Sequence, residues 1–516
     1  MKVILDALIP RDDFEVTDRV HESRGASISA LSVTNLREGD FFFSVARKPD
    51  FQRETNEWDT KKIIGLINSF IDGDLIPAII LWKSPNGYTF VIDGAHRLSA
   101  IAAWVNDDYG DGKISRSFFS SSLPNEQIEQ AERTRRAIRK QIGSFAEFEL
   151  ATTSPEKVNT EIVERSRGLA AQAIQVQWVG GDAAKAEESF FKINQEAVAI
   201  NKTELQLLKS RKKPDGIASR AISRSGTGHK YWATFTTKNQ SSVEEISKEI
   251  HDILFAPPLK SPVKTLDLPI GGKLYSQQTL ALILELTHIA NSIDDGYSLE
   301  QDSMGAKTLE VLTETQKLVR RINSIHPSSL GLHPAVYFYS LDGRYKPASF
   351  YIIARLIYKI QRSPKKLKQF TSVRSKFEEW LLKNDYYAEQ IIRKARSASS
   401  GYPRVVALYE LVIGLLDKGL SIDQIARHLE SIDEYSQITK PTSVETPAPQ
   451  SFTTVTKSAV FMQEALSHAL KCSICGGYIH KNSITIDHFE RKSEGGRGSL
   501  DNGKLAHPYC NTTYKN

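Results

Sequence analysis

The chain has 516 residues, of which 40% are hydrophobic and 25% are charged. That length suits about three domains, and the composition is typical of a soluble globular protein and excludes a disordered or fibrous one. The net charge of +6 is too small to indicate a nucleic-acid partner by itself. No apolar run approaches the roughly 18 residues of a membrane span. The N-terminus carries no apolar leader, so we expect a cytoplasmic protein without a membrane partner.

The first predicted elements are a helix and a β-hairpin. Apolar residues recur at helical spacing over 63–71, shortly after Asp59, which is a suitable N-cap residue. A strand is predicted over 79–82 and a returning strand over 88–92, with a tight turn at the Ser-Pro-Asn-Gly sequence of 84–87. Helix and hairpin together indicate an N-terminal domain that contains a sheet.

A glycine turn joins this hairpin to the next predicted helix, over 98–104. The turn reads Asp93, Gly94, Ala95, His96, Arg97. A glycine turn before a helix leaves free backbone N–H groups, and here an arginine lies beside them, so the turn predicts an anion site suited to a nucleotide phosphate. The residues alone leave a second interpretation open, in which Asp93 and Arg97 form a buried ion pair that supports the turn.

The surroundings of this turn resemble a known family. Gln52 and Arg53 precede Trp58, the predicted helix follows, Ile76-Pro77 open the next strand, and the Asp-Gly-x-x-Arg turn comes after it. A later segment, 190–205, carries a Phe-x-x-Ile-Asn sequence before a further helix. Together these features are similar to the ParB/sulfiredoxin-like domain of the GmrS type. The resemblance spans about residues 20–240, with gaps, and the domain is predicted over 1–240.

The GmrS resemblance implies that this domain binds a nucleoside triphosphate (NTP). The residues that it assigns to nucleotide binding are Gln52, Arg53, Asp93, Gly94, His96 and Arg97. The family motif has glutamines at its two middle positions, where this chain has Ala95 and His96. The resemblance therefore supports nucleotide binding more strongly than NTP hydrolysis.

The middle of the chain, residues 245–435, contains helix-period stretches and no catalytic motif, which predicts an all-helical domain. The stretches are 277–289, 307–322, 350–360 and 405–416. Basic residues cluster at 133–140, 209–213 and 365–368, and each cluster suits a solvated helix face as well as it suits a phosphate contact.

Residues 436–457 are rich in Thr, Ser and Pro. This composition predicts a flexible, partly extended linker. A linker at this place would let a C-terminal module, residues 458–516, move relative to the rest of the chain.

All three cysteines lie in that C-terminal module. Cys472 and Cys475 form one pair, and His507 and Cys510 form a second pair of the same spacing. Four such ligands in two pairs suit tetrahedral Zn²⁺, and in a cytosolic protein paired cysteines bind metal more often than they form disulfides. His480 is a rival fourth ligand, although its position just before a strand favours an exposed loop residue.

Further residues of the module make it resemble the HNH endonucleases, which fold as two strands and a helix around a metal (the ββα-metal fold). Asp487 and His488 end an apolar strand, a Gly-Gly loop follows, and Asn502 and Asn511 come after the loop. The resemblance implies that His488 is the general base, that Asp487 and Asn511 hold a catalytic Mg²⁺ or Mn²⁺, and that Asn502 orients the histidine or the loop. Asn511 stands where the family has its last histidine, so the motif looks like an H-N-N variant. The alternative is a zinc ribbon that has a binding role only and no catalytic activity.

The sequence thus predicts an α+β multidomain protein with a ParB/sulfiredoxin-like domain, an all-helical middle domain and a ββα-metal module. The resemblances imply a metal-dependent DNA endonuclease, gated by its nucleotide-binding domain, that acts in restriction or anti-phage defence on DNA such as modified phage DNA. Two alternatives remain open: a ParB-like DNA-binding regulator with a structural zinc module, and an HNH nuclease that acts on RNA or in repair. The sequence also leaves open whether the chain forms a homo-oligomer.

Overall fold

The structure is a computed structural model with two compact units, Met1–Lys212 with Thr227–Ala233, and Lys213–Gly226 with Thr234–Asn516. The segments that it describes are 2–12, 28–50, 58–119, 123–197, 202–274, 278–294, 299–395, 397–440 and 451–514, with the single positions 14, 52 and 55. Within these described segments, every helix is too short or too polar to cross a lipid bilayer.

The first unit combines a mixed sheet with helices. Its strands run in the order β1-β3-β5-β4-β6-β2, and β4 and β5 form the predicted antiparallel hairpin. The elements in chain order are β1 (Arg11–Asp12), β2 (Ala30–Leu31), α1 (Phe41–Val45), β3 (Ala46–Pro49), α2 (Thr60–Asp72), β4 (Ile79–Lys83), β5 (Thr89–Asp93), α3 (Ala95–Val105), α4 (Lys113–Phe118), α5 (Asn125–Gln141), α6 (Phe145–Thr153), α7 (Thr160–Leu169), β6 (Ile174–Trp178), α8 (Ala183–Ala197) and α9 (Lys202–Lys209).

The predicted helix and hairpin of this unit are confirmed, and local chemistry explains why they form. The Asp59 carboxylate accepts a hydrogen bond from the Lys62 amide (2.9 Å) and so caps the start of α2. One face of α2 is buried, including Ile63, Ile67 and Phe70, and this face joins the main core of the unit with strands β4 and β5. Burial of this apolar stripe fixes the helix against the sheet.

The basic stretch 133–140 lies on α5 and is largely neutralised within the unit. Arg135 bonds to Asp111 (2.6 Å) and Asp107 (3.1 Å), and Arg139 bonds to Asp107 (2.9 Å). Arg133 and Arg136 face acidic residues one turn away on the same helix. Because these cations already have acidic partners, the stretch behaves as a paired helix face, which favours the structural interpretation over phosphate contacts.

The second unit consists of helices and ends in a small two-stranded sheet with a final helix. The four predicted helical stretches of the middle region correspond to α12, α13, α15 and α18. The elements in chain order are α10 (Pro214–Ser223), α11 (Thr237–Phe255), α12 (Thr279–Asn291), α13 (Ala306–Ile322), α14 (Pro334–Tyr337), α15 (Pro347–Ile360), α16 (Pro364–Asn384), α17 (Tyr386–Lys394), α18 (Ala398–Asp417), α19 (Ile422–Glu430), α20 (Asp433–Ser436), α21 (Thr454–Ser467), β7 (Thr485–His488), β8 (Gly503–Ala506) and α22 (Pro508–Tyr514).

The C-terminal residues pack onto the helices of the same unit. The Tyr478 amide donates to Glu378 on α16 (2.7 Å), and the Tyr509 amide donates to the Ser329 carbonyl (2.9 Å). Ser458 on α21 accepts from the Val263 amide (3.0 Å). These contacts differ from the expectation of a module free to move, because hydrogen bonds at three places hold it against the rest of the unit. Of the predicted linker, residues 441–450 lie outside the described residues.

Candidate functional site

The cysteine–histidine cluster is built from two short turns. The first is a knuckle in which the Cys472 amide donates to the Gly477 carbonyl (2.9 Å), and it presents Cys472 and Cys475. The second lies between the end of β8 and the first turn of α22, and it presents His507 and Cys510. The four ligand atoms all lie within 4.8 Å of one another. The structure therefore brings together the four residues that the spacing predicts.

The imidazole of His507 is oriented for metal binding. Its Nδ1 lies 3.4 Å from the Cys475 sulfur, while its Nε2 lies 3.0 Å from the Tyr478 carbonyl. Since a carbonyl can only accept, Nε2 carries the proton and the Nδ1 lone pair faces the sulfurs. Burial lowers the pKa of His507, so the ring is neutral, as a metal ligand must be.

The sulfurs themselves favour a cation among them. Hydrogen bonds from Cys475 and Cys510 lower the pKa of Cys472, whereas the pKa of Cys475 is raised to about 11, chiefly by its bond to Cys472. Three thiolates so close together would repel one another, which opposes their ionisation in the absence of a cation. A divalent cation would let all three ionise, so this Cys₃His set could hold Zn²⁺.

His480 is not part of the cluster, and the expectation that it is an exposed loop residue was wrong. Its side chain is only 1% exposed, and Nδ1 lies 3.1 Å from the Asn323 side chain on the helical body. Burial lowers the pKa of His480 to about 4. The ring packs against His333 at a centroid distance of 5.5 Å. His480 therefore anchors the knuckle to the helices as a neutral side chain.

A buried ion pair on α16 lies behind the cluster, and no local pattern in the sequence indicates it. Arg374 Nε donates to Glu378 (2.8 Å), and both side chains are fully buried. Arg374 Nη2 donates to the Gly331 carbonyl (2.9 Å), and Nη1 lies 3.3 Å from His507 Nδ1. The guanidinium reaches this place because Gly477 has no side chain: a Cβ there would lie 2.6 Å from Arg374 Nε.

Asp487 and His488 lie at the end of β7, which pairs antiparallel with β8. Asp487 faces Lys504 and His488 faces Gly503 across the pair. Asp487 is buried and His488 is half-buried, as expected for neighbours on a strand whose side chains alternate between its two faces. Asn511 lies on α22 beside this strand, since its Nδ2 donates to the Ile486 carbonyl (3.3 Å).

Asn502 closes the loop between the two strands. Its Oδ1 accepts from the Glu490 amide (2.6 Å), and its Nδ2 donates to the Arg497 carbonyl (2.8 Å). Gly496 allows this closure, because a Cβ there would lie 1.9 Å from the Glu490 carbonyl oxygen. Asn502 thus fixes the loop that begins directly after His488.

The surface around His488 is both basic and apolar. Phe489 is 70% and Leu500 is 94% exposed, and the Lys504 ammonium lies 5.8 Å from the Phe489 ring centroid. Three further cations on the same loop are exposed: Arg491, Lys492 and Arg497. Cations contact phosphates and exposed rings or aliphatic side chains can contact bases, so this surface suits a nucleic acid.

In the first unit, the Asp-Gly-Ala-His-Arg segment lines a cavity of about 140 Å³. The helix begins earlier than predicted, because α3 starts at Ala95 and so includes the last three residues of the segment. Gly94 is the N-cap of α3 with φ +96°. Arg97 donates to Asp93 (2.7 Å) and to the Ala78 carbonyl (3.2 Å), so the ion pair considered from the sequence is present, partly exposed. Its Nε is buried and, among the described residues, has no hydrogen-bond partner.

Other residues that the sequence assigned to nucleotide binding line the same cavity. Gln52 contributes a buried side chain, and His96 stacks on Trp58 at a centroid distance of 5.9 Å. Arg53 lies outside the described residues. The volume is smaller than the roughly 300–1,000 Å³ of sites that enclose a whole organic ligand. It suits a phosphate group at the start of α3.

Two family models match the chain. Residues 33–211 match the N-terminal domain of the GmrSD restriction endonuclease, and residues 472–516 match the HNH endonuclease. The first match contains the Asp93–Arg97 turn, and the second contains the cysteine–histidine cluster with the strand pair. No curated protein and no solved structure matches the chain significantly.

Proposed function

Since the chain carries a GmrSD-type N-terminal domain and a C-terminal HNH endonuclease domain, as expected of a restriction nuclease, we propose that it is a metal-dependent DNA endonuclease whose cutting is controlled by the N-terminal domain. The observation that carries this proposal is the position of His488. It is half-buried at the end of β7, beside an exposed basic loop and next to a strand residue, Asp487, that can ligate a hard cation.

In this proposal His488 is the general base. A neutral imidazole at the end of a strand can take the proton of a water molecule as that water attacks a DNA phosphorus. Asp487 and Asn511 would hold Mg²⁺ or Mn²⁺, which when bound neutralises charge on the phosphate. Asn502 keeps the loop closed, and the exposed Arg491 and Arg497 bind flanking phosphates.

The cysteine–histidine cluster has a structural role in this proposal. Its ligands are two cysteines of the knuckle together with His507 and Cys510, and all four positions of a tetrahedral ion would be filled. A closed Zn²⁺ site of this kind has no open position for substrate. It stabilises the small module, and it holds the start of α22 so that Asn511 lies beside β7.

The N-terminal domain is proposed to be the sensor. Its cavity can take a phosphate of an NTP, with Gly94, His96 and Arg97 around it and the base outside the enclosed volume. The mixed sheet with helices supports a ParB/sulfiredoxin-like fold. We further propose that the enzyme acts in the cytoplasm and that its substrates include modified phage DNA. NTP hydrolysis is the weaker part of the proposal, because the two motif glutamines are absent.

A cleavage assay tests the proposal and separates it from its alternatives. Supercoiled plasmid, modified phage DNA and an RNA of matched length are incubated with the full chain and Mg²⁺ or Mn²⁺, with and without each NTP. We expect DNA to be nicked with metal and left intact after chelation of Mg²⁺. Binding without cleavage under every condition would favour a DNA-binding regulator, and cleavage of RNA alone would favour an RNA nuclease.

A further inference from the structure

The second unit contains a cleft of about 750 Å³ that none of the sequence motifs touches. Its walls come from the end of α12, one face of α13, the turn at 326–328 and the end of α15. A volume of this size is typical of sites for small organic ligands, which run from roughly 300 to 1,000 Å³. The cleft is therefore large enough for a nucleotide.

The charges in the cleft do not cancel. Its two acidic side chains already have cationic partners, since Glu314 bonds to Lys317 (2.7 Å) and Glu310 bonds to Lys307 (3.1 Å). Arg320 is likewise paired with a carboxylate outside the cleft, that of Glu249, at 2.6 Å. Two other arginines of the cleft have no carboxylate within ion-pair distance among the described residues, and they leave a surplus of positive charge.

These two arginines are Arg321 and Arg362. Arg321 donates from Nη1 to the Ser328 carbonyl (2.8 Å), and its Nε is buried with no hydrogen-bond partner in the described part of the chain. Burial lowers the pKa of Arg321. Arg362 lies over the ring of Tyr358, 4.2 Å from its centroid. Arg321 is half-buried and its buried Nε has no anion beside it, which is unfavourable, and a bound phosphate would relieve that cost.

We propose that this cleft binds a small phosphorylated ligand of the nucleoside diphosphate class, with its phosphates held by Arg321 and Arg362 and its ring placed near Tyr358. A duplex backbone fits less well. It could touch the exposed Arg362 at the rim, but it could not reach the buried Nε of Arg321.

The cleft is also connected to the C-terminal helix. The Arg321 guanidinium lies 5.4 Å from the ring centroid of Tyr509 on α22, and the Tyr509 amide donates to Ser329, next to the Ser328 that holds Arg321. A ligand that draws Arg321 inward therefore acts on the helix that carries Cys510 and Asn511. Binding at the cleft does not depend on the nuclease proposal, whereas any effect of this contact on cutting rests on it.

Calorimetric titration with inorganic pyrophosphate and with ADP tests the site. The full chain is used with Arg97→Ala as the common background, so that the turn of the first unit does not contribute. We expect saturable binding that Arg362→Ala weakens about tenfold or more, the value for a lost hydrogen bond between charged groups. Arg404→Ala, an exposed arginine of α18 outside the cleft, should leave the affinity unchanged.

A second variant, Arg321→Gln, should weaken binding similarly and should also abolish any slowing of hydrogen exchange in α22 by pyrophosphate. The proposal is overturned if neither probe binds, or if Arg404→Ala weakens binding as much as Arg362→Ala. It is also overturned if only a duplex oligonucleotide binds in an Arg362-dependent way, because the cleft would then be part of a DNA-binding face.

Discussion

Replacing Arg374 by leucine should strongly destabilise the second unit. The guanidinium is fully buried, bonds to Glu378 (2.8 Å) and to the Gly331 carbonyl (2.9 Å), and lies beside His507. Its loss leaves Glu378 as a buried carboxylate whose remaining partners are the Tyr337 hydroxyl and the Tyr478 amide. Breaking a buried pair from one side costs about 3–5 kcal/mol, and a typical domain has only about 5–15 kcal/mol in total.

Urea unfolding is monitored by hydrogen exchange in peptides from 472–514. It measures the loss of stability in the second unit, which contains the Arg374–Glu378 pair. A matched double variant, Arg374→Leu with Glu378→Gln, removes both charges and keeps an acceptor for Tyr337 and Tyr478, so it should recover a large part of the loss. A loss below about 1 kcal/mol in Arg374→Leu would refute the reasoning. So would a double variant that is less stable than the single one.

Three further predictions concern the metal cluster, the nucleotide and pH. Cys510→Ser should remove bound zinc and unfold residues 472–514, while the first unit keeps its melting transition. Elemental analysis measures the zinc content and proteolysis measures the unfolding. Absence of zinc from the wild-type protein would contradict this prediction. In an Arg362→Ala background, which weakens the cleft of the second unit, Arg97→Ala should lower the affinity for NTP about tenfold or more in equilibrium dialysis, and an unchanged affinity would exclude the Asp93–Arg97 segment as the site. The pKa of His480 is about 4 in the folded state and about 6.5 when unfolded. The unfolded state therefore binds the proton more readily, and stability should fall as pH is lowered from 6.5 towards 4. His480→Gln should make the urea midpoint less dependent on pH, and an unchanged pH profile would count against this role.

Local sequence signals predicted much of the candidate site. The ligand spacing of Cys472 and Cys475, and of His507 and Cys510, is set by single turns, so the pairs could be recognised before any fold was known. The hairpin and α2 carry strong periodicity and a capping residue, and both formed as predicted. Features of this kind depend on residues that are close in sequence.

The features that could not be predicted depend on contacts between residues that are far apart in sequence. An arginine and a glutamate four residues apart, such as Arg374 and Glu378, usually lie on a helix surface, and nothing local indicates that this pair is buried. The burial of His480 depends in the same way on Asn323, which is 157 residues away. Linker composition predicts flexibility of the linker alone, so the docking of the following module onto α16 could not be foreseen.

The central claim, that His488 activates water for DNA cleavage, is tested most directly by a single-turnover rate. Wild type, His488→Ala and His468→Ala are compared on the same supercoiled plasmid at saturating Mg²⁺; His468 is an exposed histidine on the same module, 76% accessible. Loss of a general base should lower the cleavage rate about 10²–10⁴-fold in His488→Ala, with zinc content and folding unchanged and with wild-type rates in His468→Ala. Equal rates in all three proteins would contradict the account.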